Sequence, residues 1–204
     1  MSLPPTDPLP YDAVDPEDER PPSSGVIVDE ARGALPFALI HGESLVATAA
    51  WAAGEAGVEL VDASLGWDVV VDRGEPLVLH DPLCPMTPPE FIDACVRRAV
   101  EAGTVVVGVR PVTDTVKEVA DGRIGATVDR EALVAVCSPI VLPLDVLAAV
   151  VADGGLPSVD FADVVAHLRA AGHPVFLAEA PAEARRVASA DDVAVLQAQT
   201  APAY

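Results

Sequence analysis

Leu77-Val78-Leu79-His80-Asp81-Pro82-Leu83-Cys84-Pro85-Met86-Thr87-Pro88-Pro89-Glu90 runs from an apolar strand straight into a helix start. Leu77-Val78-Leu79 has the unbroken apolar character of a strand buried on both faces. Thr87 is placed to cap free amides, proline suits a first helical turn, and Glu90 can reach back to complete a capping box. The helix is expected to run to about Ala102, where Gly103 stops it. Thr104 to Val109 then gives a β-branched strand of the kind found at the centre of a parallel sheet.

The same alternation extends outward in both directions. Upstream, Val26-Ile27-Val28 reads as a strand, 43–56 as an Ala-rich helix and Val58 to Val61 as a second strand. Val69-Val70-Val71 reads as another, followed by a turn at Asp72-Arg73-Gly74. Downstream, Val112 to Val119 and Ile124 to Val128 form a hairpin-like arm about Asp121-Gly122. Helices near 143–152 and from Ser158 to Gly172, a strand at Val175-Phe176-Leu177, and a last helix opened by Ser189-x-x-Asp192 complete the pattern. Strands alternating with helices predict an α/β fold with a doubly wound, mostly parallel sheet.

Composition bounds the partners. The chain has 204 residues, a formal net charge of −20 and a single lysine, Lys117. Such a charge repels nucleic acid and anionic membrane surfaces, so neither is expected as a partner. Bound phosphate would have to be met by arginines, backbone amides or a metal. Cys84, Cys95 and Cys137 are scattered and odd in number, which fits reduced thiols and a cytoplasmic location. No apolar stretch is long enough to span a membrane. Residues 1–24 are rich in proline and acid and cannot bury enough apolar surface to offset ordering entropy, so they read as a disordered tail ahead of one domain at 25–200. His41, His167 and His173 show no metal spacing. Asp191-Asp192 suit a helix N-terminus.

Four segments in order carry a family resemblance. They are His80-Asp81-Pro82-Leu83-Cys84-Pro85; Pro111-Val112-Thr113-Asp114-Thr115-Val116-Lys117; Thr127-Val128-Asp129-Arg130; and Ser138-Pro139. Together with Arg186 ahead of the final helix, they resemble the methylerythritol phosphate cytidylyltransferases of isoprenoid precursor synthesis. The resemblance covers roughly residues 77–198. It implies a Rossmann-like, nucleotide-diphospho-sugar transferase-like fold with a protruding β-arm at about 110–142, and a homodimer built through that arm. It also implies a reaction in which a sugar-alcohol phosphate attacks the α-phosphorus of CTP and releases pyrophosphate. By residue, it implies a magnesium ligand at Asp81 and contacts to a phosphorylated small molecule from Thr115, Arg130, Arg186 and Arg32.

The departures from the family pattern fall on the nucleotide. Such a transfer relies on positioning and on neutralising an anionic transition state. The loop after the first strand, Asp29 to Phe37, places Asp29-Glu30 where phosphate oxygens would sit and Phe37 where the family has lysine. Arg32-Gly33 retains one cation and one glycine. Only Ala63 to Glu75 fills the interval that reads cytosine in the family, and Cys84 replaces an arginine. A neutral thiol cannot clamp a phosphate. The expectation is therefore a family member with an eroded CTP site, non-catalytic or much reduced, with no catalytic residue assigned. The alternative is an active, divergent nucleotidyltransferase using CTP and magnesium.

Overall fold

The computed structural model describes residues 20–62 and 66–201. Most of the acidic, proline-rich segment, and Ala63-Ser64-Leu65 of the shortened interval, lie outside the described residues. Strand β1 (Ser23–Ile27) begins at Ser23, two residues before the domain start read from the sequence. Two short strands follow, β2 (Leu39–Ile40) and β3 (Glu43–Ser44), and then helix α1 (Leu45–Glu55). Next come β4 (Val58–Leu60), α2 (Trp67–Asp72), β5 (Leu77–His80), α3 (Pro89–Ala102) and β6 (Val105–Pro111). The arm is β7 (Val116–Ala120) and β8 (Arg123–Val128). Strand β9 (Val134–Leu142) returns to the body, followed by α4 (Leu144–Ala152), α5 (Phe161–Ala170), β10 (Val175–Glu179) and α6 (Ala190–Gln199).

Six strands form the central sheet in the order β10-β6-β9-β5-β1-β4. Pairing is parallel except at β9, which runs antiparallel to both β5 and β6. The period-2 alternation of each strand sorts its side chains to two cores. Leu77, Leu79, Val105, Val107, Ile140 and Leu142 face α2, α4 and α5, packing with Val70, Leu147, Phe161 and Leu168. Val78, Val106 and Val141 face α1 and α3, packing with Ala52, Phe91, Ile92 and Cys95. Helices on both faces of the sheet are the doubly wound architecture that the alternation of elements predicts.

Three local readings are corrected. Val69-Val70-Val71 lies in helix α2, not a strand; a three-residue apolar run carries no periodicity, and burial of Val70 against the α4 side of the core decides the outcome. The capping box at Thr87 and Glu90 does not form. Pro88 is the N-cap, with no side-chain cap, and Thr87 Oγ1 instead donates to the Cys84 carbonyl at 2.8 Å. Strand β9 is absent from the sequence reading. It enters between two strands that a simple parallel reading places side by side.

Gly108 explains how β9 comes so near. A Cβ there would lie 2.7 Å from the Ser138 carbonyl oxygen, so a side chain would push Ser138 away. In the arm, Asp121 (φ 51°) and Gly122 (φ 72°) both adopt positive φ, the requirement of a tight two-residue hairpin turn. Among the described residues no helix is long and apolar enough to cross a membrane.

Candidate functional site

Asp81 directly follows β5, at the C-terminal end of a strand in the middle of the sheet, where open α/β sheets receive ligands. Its side chain is 1 % exposed. Burial of a carboxylate requires partners, and Asp81 has them on both oxygens. Oδ1 accepts from the Leu83 amide at 2.9 Å, closing the turn that Pro82 begins. Arg32 Nε lies 3.2 Å from both oxygens. Arg186 Nε donates to Oδ2 at 3.0 Å.

The two guanidiniums arrive from opposite ends of the sequence. Arg32 sits in the loop after β1, beside the positive-φ residues Ala31 and Gly33. Its side chain is 5 % exposed, donates to the Val159 carbonyl at 2.8 Å, and lies 5.8 Å from the centroid of the Phe161 ring. Arg186 precedes α6 and is set in place by Val187, whose amide donates to the Leu83 carbonyl at 2.8 Å. Its side chain is more open, at 37 % exposure.

Behind the carboxylate, Ser138 joins β9 to the end of β5. Its Oγ accepts from the Asp81 amide at 3.1 Å and hydrogen-bonds His80 Nδ1. His80 is fully buried, and desolvation lowers its pKa to about 4, against a smaller upward pull from Asp81. It is therefore a neutral imidazole near pH 7 and adds no cation to the site. Cys84 is completely buried beside Cys137, and burial pushes its thiol pKa up. It too is neutral.

Arg32, Arg186 and Asp81 are thus brought together in one buried cluster. Thr115 and Arg130 are not part of it. Both are exposed, at the base of the arm, where Arg130 Nη1 donates to the Thr113 carbonyl at 2.6 Å. Phe37 is 63 % exposed, and Asp29 and Glu30 both stand exposed on the loop after β1. Among the described residues no group of three or more His, Cys, Asp or Glu side chains is placed to hold a metal. Sequence reasoning noted Ser138 only as part of a motif and missed it as the hub. A short polar residue before proline inside a nine-residue, otherwise apolar strand was the available signal.

Comparison with known proteins gives the family and the fold. Residues 52–201 match the family model described as IspD: 2-C-methyl-D-erythritol 4-phosphate cytidylyltransferase. A 2-C-methyl-D-erythritol 4-phosphate cytidylyltransferase of Frankia casuarinae is 37 % identical over 144 residues, covering 70 % of this chain and 53 % of that one. The protein of that name from Saccharopolyspora erythraea is 32 % identical over 130 residues, covering 63 % of this chain and 57 % of that one. The matched region therefore spans little more than half the length of these relatives. Among solved structures, the enzyme of that name from Thermus thermophilus superposes with a TM-score of 0.66 at 20 % identity, covering 87 % of this chain and 98 % of that one. A 4-diphosphocytidyl-2C-methyl-D-erythritol synthase gives 0.68 at 16 % identity, covering 89 % and 99 %. At these identities the structural likeness shows the fold.

Proposed function

The chain belongs to the 2-C-methyl-D-erythritol 4-phosphate cytidylyltransferase family, and from that premise we propose that its nucleotide site is closed on itself, so that cytidylyl transfer is absent or much reduced. One observation carries this reading. The two arginines that converge there, Arg32 and Arg186, both bind Asp81, so both cations available to a phosphate are already engaged, and one of their two charges is offset, by a carboxylate of the same chain. Arginine grips carboxylate and phosphate through the same fork. Asp81 therefore occupies the place an anionic ligand would take.

The surroundings support the same conclusion. Asp29 and Glu30 stand on the loop after β1, where they repel a triphosphate. Cys84 and His80 are neutral. Magnesium does not fit Asp81 in this arrangement: both oxygens are engaged, and two guanidiniums within 3.2 Å oppose a divalent cation.

A second reading, an active but divergent nucleotidyltransferase on a sugar-alcohol phosphate, is favoured by the convergence of Arg32, Asp81 and Arg186 at the C-terminal end of β5 and by the openness of Arg186. Pyrophosphate release from CTP with methylerythritol phosphate and magnesium separates the two. Loss of one group aimed at developing charge costs roughly a hundred- to a thousandfold. The expected rate is at least about a thousandfold below that of a complete relative; an ordinary turnover number overturns the proposal.

Assembly is part of the same proposal. An isolated two-stranded ribbon is marginal in water, and this one carries Val119 and Ile124 at 70 % and 77 % exposure, paired across the strands. Two copies exchanging arm contacts would cover them, with Thr115 and Arg130 near the shared surface.

A further inference from the structure

A cavity of about 110 Å3 opens at the C-terminal ends of β1 and β5, beneath α2 and α5. Its inner wall is apolar: Val26, Leu79, Val70, Phe161 and Val164 are all buried. Trp67, the first residue of α2, flanks it and is 36 % exposed. The short segment that replaces the family's longer interval thus contributes both an aromatic side and, through Val70, part of the floor. The size is of the order of the ~150 Å3 apolar cavity that accepts benzene in an engineered protein. It suits one aromatic ring or branched aliphatic group.

The rim has one sign of charge. Asp29, Glu30 and Asp62 line it, and no lysine or arginine does among the described residues. The guanidinium of Arg32 touches the Phe161 ring but is committed to Asp81 and the Val159 carbonyl. An apolar pocket with a few convergent polar groups is the usual form of a small-molecule site. Here those groups favour a cation and reject a phosphate or carboxylate. The net charge of −20 adds a long-range field that concentrates cations at the surface.

We propose that this cavity binds a small primary amine bearing one aromatic or branched aliphatic group, with the ammonium at the mouth beside Asp29 and Glu30 and the apolar body against Trp67 and Phe161. The assignment rests on the cavity lining and is independent of whether cytidylyl transfer survives.

Benzylamine, benzyl alcohol and benzoate share one ring and differ in charge, so calorimetric titration with each on the full chain is the test. Benzylamine should bind at least about tenfold tighter than benzyl alcohol at about 20 mM salt, and benzoate should be weakest. The advantage should fall below about threefold at about 0.5 M salt, as screening of rim charges requires. Val164→Phe fills the cavity and should abolish binding. Should that variant fail to fold, the rim pair Asp29→Asn with Glu30→Gln must lower benzylamine affinity severalfold and leave benzyl alcohol unchanged. Equal binding of amine and alcohol overturns the charge assignment. Absence of binding by all three to folded protein overturns the site.

Discussion

Asp81 is 1 % exposed, with hydrogen-bond partners on both carboxylate oxygens; Ile124, near the arm's tip, is 77 % exposed and faces Val119 across the ribbon. Both regions carry motifs shared with the family, yet they pose opposite problems. Around Asp81 the carboxylate finds its partners within the chain: Arg32 from the loop after β1, Arg186 from before α6, with Ser138 behind. Buried ionic groups are tolerated only when completed in this way. The arm leaves its apolar pair uncovered, which costs hydrophobic free energy until another surface is found. A region that satisfies itself has little left to offer a ligand, whereas a region that does not still asks for a partner.

The largest effect that can break this comparison lies at Asp81. Asp81→Asn keeps the shape but removes the charge, leaving the nearly buried guanidinium of Arg32 without its counter-ion. Breaking a buried pair costs about 3–5 kcal/mol, and the solvent access of Arg186 places this variant near the lower end. Urea denaturation measures it. A loss under about 1 kcal/mol, the range of surface ion pairs, would show that the cluster is not the self-completed unit described.

Next in size is the pH response of His80. Its folded pKa is about 4, against an ordinary 6.5, so the native state holds it neutral while the unfolded chain protonates first. The stability it contributes is present above pH 6.5 and is lost as pH falls towards 4. The separation corresponds to about 3 kcal/mol. Denaturation at about pH 7 and about pH 4.5 should show a steeper loss in the wild type than in His80→Asn, which cannot titrate there. Parallel losses in both proteins would place the pH sensitivity elsewhere.

The arm supplies the smaller effects. Ile124→Asp should weaken self-association at least tenfold, about 1.4 kcal/mol, as read by light scattering across a dilution series. A chain that is monomeric at micromolar concentration before mutation removes the proposed arm exchange. Smallest of all, Arg130→Ala should change unfolding stability by no more than about 0.5 kcal/mol, as expected of an exposed position.

Much of the fold could be read from the sequence because its elements carry local signals. Val105 to Val107 is β-branched throughout, Gly103 stops α3 in the left-handed conformation, Ser189 caps α6, and Asp121-Gly122 turns the arm. Strand β9 escapes such a reading because its meaning is non-local: Ser138 fits against β6 only where Gly108 leaves room for its carbonyl. The valines of α2 mislead because three residues cannot reveal a period. At the site, Asp81, Arg32 and Arg186 can each be named from the pattern, but their mutual pairing cannot. The partners are separated by 49 and 105 residues, and no local preference encodes a contact at that range.

The central claim is that Asp81 stands in the place of a bound anion between Arg32 and Arg186, and thermal melts with and without millimolar pyrophosphate test it most directly. In Asp81→Asn the arginines are released, so pyrophosphate should stabilise the variant by about 1 kcal/mol or more, a rise in Tm of about 2–4 °C for a chain of this size. The wild type should move by less than about 1 °C under the same conditions. A wild-type shift equal to or larger than that of Asp81→Asn would mean that the site already receives phosphate, and would contradict the account.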